Sequence, residues 1–312
     1  MKTPVVMIVF NRPDTTRRVF DVVATMRPEK MLIIADGPRR DRDGEAELCR
    51  QTRAVFDEIN WPCLVECSIS EENLGCKKRL STGLDWVFSK CEQAIILEDD
   101  CLPHVDFFRY CEEMLEHWQD NGKIMAICGT NLGYNQGQSD GYFFTRTPHC
   151  WGWASWRRAW QEYDVEMKSW IKFRSEGKNL AEIVKNEEVS SVMVKIFDDV
   201  VAGKIDTWDY QWAWACWFQN GLCVVPNRNL ISNIGFRKDA THTTSGGKMD
   251  KLKTYCLEFP LKQTGPMSCN ESFFVYSMLA TCGGGARQGA LQVGVSRARK
   301  LIRKFFSFCR IS

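Results

Sequence analysis

Several common signatures are missing from this sequence, and each gap excludes something. Histidine is scarce, with four in 312 residues. None sits in an HExxH arrangement, which disfavours a zinc hydrolase. No CxxC pair occurs. Cys63 and Cys67 form the closest couple and have no matching pair for a structural zinc site. GxGxxG and GxxxxGK[ST] are missing, so dinucleotide and P-loop readings lose support. There is no GxSxG elbow. The opening apolar run, Val5 to Phe10, is ended by Asn11, Arg12 and Pro13, too soon for a signal peptide or a membrane span. A net charge of +2 is too weak for a body that binds nucleic acid or membrane as a whole. No internal repeat is visible.

What is present is a chain able to bury a core, 44% apolar and 26% charged. Cysteine is frequent at 15, an odd count whose spacings fit no disulfide framework. The expectation is a reduced, cytosolic protein with free, mostly buried thiols.

The first 120 or so residues alternate apolar runs with helical periodicity. PVVMIVF (4–10), MLIIADGP (31–38), CLVECSIS (63–70) and AIILEDD (94–100) read as strands. Between and after them lie helix patterns, the first capped by Asp14 and carrying Val19, Phe20, Val22 and Val23 inward. This order predicts βαβ units and a mostly parallel sheet with right-handed crossovers. In such sheets functional loops lie beyond the carboxyl ends of the strands. Asn11, Arg12, Asp36 and the Glu98-Asp99-Asp100 triplet all fall at that edge.

The second half has a different texture. Strands are expected at 124–131 and 142–146, a polar helical stretch to about residue 200, a mostly buried helix over 206–221, and a strand with a loop over 222–235. The Trp-dense stretches around Trp151–Trp160 and Trp208–Trp217 read as core, although aromatic faces also suit sugars. The division expected is a domain over 1–262, with halves 1–122 and 123–262, and an extension over 263–312. The tail VSRARKLIRKFFSFCRIS is a basic amphipathic helix candidate. It suits either an anionic membrane surface or packing on the body with a solvated basic face.

The acidic triplet carries the chemistry. Adjacent carboxylates repel one another, and a divalent cation relieves that. Mg²⁺ or Mn²⁺ takes one or two carboxylates, substrate phosphates and water. The bland alternative is a solvated turn. Arg12 and Asp36 suit a phosphate and a base N–H, or else pair with each other. Lys77, Lys78 and Arg79 suit a diphosphate, or a plain helix face. Asp209, between Trp208 and Tyr210, is either a general base or a helix cap. His242, in a Thr/Gly-rich loop, is either a third metal ligand or phosphate contact, or a surface histidine.

Taken together, VFNRPDTTRRVFD, IIADGP, NLGCKKRLSTGLDWVF with AIILEDDCLPHVDFF, GWASW and TWDYQW resemble nucleotide-sugar glycosyltransferases of the GT-A fold. The closest similarity is to the N-acetylglucosaminyltransferase I group and its bacterial relatives, over roughly residues 4–240. The resemblance implies a Rossmann-like α/β fold whose mixed second half forms the acceptor side. It implies a DXD-type motif with Asp100 as direct Mn²⁺ or Mg²⁺ ligand and Glu98 and Asp99 facing ribose and sugar. Arg12 and Asp36, with Asn11 beside them, would hold the uracil and nucleotide, and Arg79 would approach the diphosphate. Asp209 would be the base in an inverting transfer from a UDP-sugar to a hydroxyl of a glycan or lipid-linked acceptor. The family carries a second acid after the WD pair, where this chain has Tyr210. The animal relatives have an N-terminal anchor not seen in this sequence, so a peripheral contact with the inner membrane face would fall to the basic tail. No nucleic-acid partner is expected.

Two other readings remain open. A nucleotidyltransferase making a nucleotide-sugar usually opens with a Gly-rich loop after strand one, where this chain has NRPDTT. A non-catalytic module would keep the fold and bind sugar or nucleotide only.

Overall fold

The computed structural model describes residues 1–134, 140–236 and 249–282. The strands are β1 (Val5–Val9), β2 (Lys30–Ala35), β3 (Leu64–Ile69), β4 (Gln93–Glu98), β5 (Cys101–Pro103), β6 (Ile124–Cys128), β7 (Tyr142–Thr145), β8 (Trp153–Trp156), β9 (Leu222–Pro226) and β10 (Ile231–Asn233). The helices of the first half are α1 (Pro13–Met26), α2 (Glu45–Ala54), α3 (Gly75–Lys90) and α4 (Asp106–His117). Those of the second half are α5 (Arg157–Trp160), α6 (Lys168–Ser175), α7 (Ala181–Val184), α8 (Glu187–Val201), α9 (Asp209–Phe218) and α10 (Glu271–Cys282).

One eight-stranded sheet runs in the order β3-β2-β1-β4-β8-β6-β9-β7, and β10 pairs with β5 in a small second sheet. β3, β2, β1 and β4 are mutually parallel. β8 enters antiparallel between β4 and β6, and β7 closes the far edge antiparallel to β9. The fold is therefore the α/β type expected, a mostly parallel sheet flanked by helices with a mixed second half.

Strand alternation divides the apolar residues between two cores. Val5, Met7, Val9, Ile33 and Leu97 meet α1 and α4 on one face. Val6, Ile8, Ile34 and Ile96 meet α3 and the second-half helices on the other. The tryptophans belong chiefly to that second core: Trp153, Trp160, Trp170, Trp208, Trp212, Trp214 and Trp217 are all buried there. Phe273 and Phe274 of α10 join them, so residues past 262 pack on the body. Asp14 does not cap α1: Arg12 takes that position without a side-chain cap, Pro13 opens the helix, and Asp14 lies in its first turn. The described cysteines are all free, and most are partly or fully buried.

Candidate active site at the tip of strand β4

β1, β2 and β4 deliver their carboxyl ends to one rim, and β4 delivers the acids. Glu98 is the last residue of β4. By alternation after Leu97 it points toward the face where α3 and α9 lie. Asp99 and Asp100 form the turn into β5. Asp99 is 8% exposed and accepts from the Phe10 N–H at 3.3 Å. Arg12 Nη1 donates to Asp100 Oδ2 at 2.9 Å and lies 3.9 Å from Asp99 Oδ1. The β1–α1 loop thus reaches the triplet directly.

Three acids beside one arginine leave an excess of negative charge. Burial, with repulsion from Asp100, pushes Asp99 up to about 7. Burial, then Asp100, Asp99 and Asp209, push Glu98 well above the usual carboxylate range. The donor set fits Mg²⁺ or Mn²⁺. All its atoms are hard carboxylate oxygens, and a divalent cation would remove the repulsion that disfavours their charged forms. Among the described residues no three His, Cys, Asp or Glu side chains form a protein-only metal cage. These ions usually complete their shell with phosphate and water.

The backbone after β10 presses on the same acids. Ile234 N–H donates to the Asp100 carbonyl at 2.8 Å. A Cβ added at Gly235 would overlap the Asp100 carboxylate, so only glycine lets this segment lie there. The segment leads toward His242, which lies outside the described residues.

The rest of the rim is held by internal ties. Asp36 is buried. It accepts from Gly37 N–H at 2.9 Å, Leu74 N–H at 3.0 Å and Asn73 Nδ2 at 3.0 Å. Burial pushes its pKa up against the pull of those N–H groups. It therefore joins the β2–α2 and β3–α3 loops, and Gly37 permits the contact: a Cβ there would come within 2.6 Å of the Glu71 and Glu72 backbone. Asn11 Nδ2 donates to Glu45 Oε1 at 2.9 Å, and Arg39 N–H to Glu45 Oε2 at 2.7 Å. Burial pushes Glu45 up, but its bonds from Arg39 and Asn11 outweigh that and hold it below the usual range. Arg79 is buried and turns inward, donating to the Ser68 carbonyl and to Ser68 Oγ, so it braces the end of β3.

α9 brings a further acid, Asp209, whose charge acts on Glu98. Asp209 is exposed at the helix start, and its Oδ1 accepts from Thr207 Oγ1 and from the Tyr210 N–H at 3.0 Å. The buried Trp208 and Trp212 fix the helix on the sheet. Burial raises the pKa of the Cys76 thiol, as do the charges of Glu98, Asp209, Asp206 and Asp36. Tyr163 stacks on Trp160 at 4.2 Å and donates to the Trp208 carbonyl at 3.2 Å, bracing α9 from behind.

The structure thus joins Arg12 to Asp99 and Asp100 at the end of β4, and the charge of Asp209 reaches Glu98 from the start of α9. Asn11 and Asp36 stand on the same rim, tied to neighbouring loops, and Arg79 is turned inward. Sequence reasoning missed Glu45 and Cys76. Glu45 could have been suspected only as an acid opening a helix, where it suits the helix dipole. Nothing local marked Cys76.

No protein-family model matches the sequence, and no curated protein matches it. Solved structures do match in shape. The mannosyltransferase PcManGT from Pyrobaculum calidifontis, in complex with GDP-Man and Mn²⁺, is 10% identical, with 99% of this chain and 83% of that one covered and a TM-score of 0.37. UDP-glucose pyrophosphorylase complexed with UDP-glucose is 9% identical, with 72% and 90% covered and a TM-score of 0.35. HddC from Yersinia pseudotuberculosis, complexed with GMP-PN, is 11% identical, with 45% of this chain and 59% of that chain covered and a TM-score of 0.28. The match therefore spans less than two thirds of HddC. None of these likenesses assigns a residue here.

Proposed function

We propose that this chain is a metal-dependent glycosyltransferase that moves a sugar from a nucleotide-sugar, most simply a UDP-sugar, to a hydroxyl of a glycan or lipid-linked acceptor. One observation supports the reading: β4 ends in Glu98, Asp99 and Asp100, and the charge of Asp209 at the start of α9 acts on Glu98. The carboxylate row suits Mg²⁺ or Mn²⁺, with Asp100 as the direct ligand. A bound ion would neutralise the diphosphate as the nucleotide leaves.

The chain's own residues supply the rest. Asp209 has Oδ1 fixed by Thr207 and the Tyr210 N–H. Among the described residues its Oδ2 is left to take the acceptor proton. Arg12, anchored on Asp100, holds positive charge beside the phosphates. Asn11 and Asp36 line the nucleotide side, and Glu98 and Asp99 the sugar side. Inversion at the anomeric carbon follows from the family resemblance, with attack opposite the leaving group. The tail over 295–312, suggested for an anionic membrane surface, lies outside the described residues. Among the described residues no helix is long and apolar enough to cross a membrane.

Product analysis tests the reading. Incubation with a panel of nucleotide-sugars and Mn²⁺ should release a nucleoside diphosphate, faster with acceptor glycans. Pyrophosphate release from a nucleoside triphosphate and a sugar phosphate would instead establish a nucleotidyltransferase. Binding without turnover across the panel would establish a non-catalytic module.

A further inference from the structure

The β3 edge of the sheet is left open in an unusual way. β3 is an edge strand of six residues, LVECSI, with no proline, and among the described residues nothing pairs with its outer side. Edge strands are normally blunted by charge, proline or cover. Here the one charge, Glu66, is tied to Lys30 at 2.9 Å and Lys90 at 2.8 Å. Apolar side chains stand out instead: Val65 is 37% exposed, Ile69 52% and Leu64 58%.

The direction of the backbone groups follows from the inner side. Leu64 N–H donates to the Glu29 carbonyl and Ser70 N–H to the Ala35 carbonyl, both toward β2. Alternate residues of a parallel strand bond to the same neighbour. Val65, Cys67 and Ile69 therefore turn their N–H and C=O groups outward. Their side chains share one sheet face, since they pair with Met31, Ile33 and Ala35.

We infer that β3 pairs with β3 of a second copy of this chain, antiparallel about a two-fold axis at Cys67, joining the two sheets into one. The geometry selects this register. Centred on Cys67, it places Val65 opposite Ile69, Cys67 opposite Cys67, and Glu66 opposite Ser68. Every outward backbone group then meets a partner, and the apolar side chains form cross-strand pairs on one face. A register centred on Glu66 would set like charges face to face and leave Ile69 without a partner. A shift by a single residue would mismatch the faces of the two sheets. The arrangement is self-complementary, as a two-fold interface requires.

The test is solution mass by light scattering across a range of concentrations, with cross-linking by a short bismaleimide mapped by mass spectrometry. The wild-type chain should run at twice the monomer mass, with cross-links joining Cys67 to Cys67. Cys67→Ser should stay dimeric and lose that cross-link. The double variant Val65→Lys, Ile69→Lys changes exposed positions only. It should run as a monomer with an unchanged circular dichroism spectrum. A monomeric wild type at every concentration would overturn the inference. So would a dimer that survives both lysines, or cross-links that run through another cysteine, such as Cys256, the other exposed one among the described residues.

Discussion

The two sides of the candidate site, proposed to take donor and acceptor, are built by opposite means. On the side of β1, β2 and β4 polar groups hold one another: Glu45 ties Asn11 and Arg39, Asp36 ties two loops, and Arg12 spans to Asp100. On the α9 side Asp209 is held only by its sequence neighbours Thr207 and Tyr210, and apolar packing fixes the helix that carries it. Asp209 projects from a helix whose inward residues include Trp212, Trp214 and Trp217, all buried. A wall that must recognise a charged, flexible ligand gains from fixed dipoles and charges, because that order is already present before binding. A wall that must accept a proton gains from an acid with a free oxygen on a rigid support. Damage to the two should therefore have different signatures.

The largest effect is expected at Asp209. Asp209→Asn should lower the transfer rate by about 10²–10⁴-fold and leave donor affinity unchanged. Near-normal turnover would remove it as the base. Next is Gly235→Ala, which pushes a methyl group into Asp100. It should cost about 1–3 kcal/mol of stability, and donor affinity should fall while the pH dependence of the rate stays as it was. An unchanged affinity would mean that the Asp100 carboxylate has freedom the structure does not show.

A third effect concerns stability alone. Burial holds His149 neutral, with its pKa lowered from 6.5 to about 4. Below pH 6.5 the unfolded chain takes up a proton that the folded one refuses. Stability should therefore fall as pH drops from 6.5 toward 4, by about 3 kcal/mol at most from this group. His149→Phe should flatten that part of the melting profile. The smallest effect is expected at Glu45. Glu45→Gln keeps the shape and removes the charge, so stability should fall by about 1–2 kcal/mol and donor KM should rise with kcat little altered. A fall in kcat alone would place Glu45 on the wrong wall.

Much of the first half was legible because a parallel strand buried on both faces reads as an unbroken apolar run. PVVMIVF, MLIIAD and AIILED each became strands of the sheet, and the acids at the end of the third became the rim. The antiparallel entry of β8 was not legible. WASW is too short to show a period, and its partners β4 and β6 lie far away in sequence. The inward turn of Arg79 was hidden for a related reason. In KKR the three basic side chains look alike, and helix phase alone decides which one is buried against Ser68. Glu45 resembled any acid at a helix start, because its partners come from a loop more than thirty residues earlier and from Arg39 nearby.

The central claim is that the tip of β4 binds a nucleotide through a divalent ion held by Asp100. The most direct measurement is the ligand-induced melting shift of the wild type and of Asp100→Ala. Uridine and guanosine diphosphates and their sugar conjugates would be compared, each with Mn²⁺, Mg²⁺ or EDTA. Binding to the folded state raises the midpoint according to ligand concentration over affinity. The account predicts a clear shift with one nucleotide family in Mn²⁺ or Mg²⁺, lost in EDTA and lost in Asp100→Ala. A shift that survives both EDTA and the substitution, or no shift with any nucleotide, would contradict it.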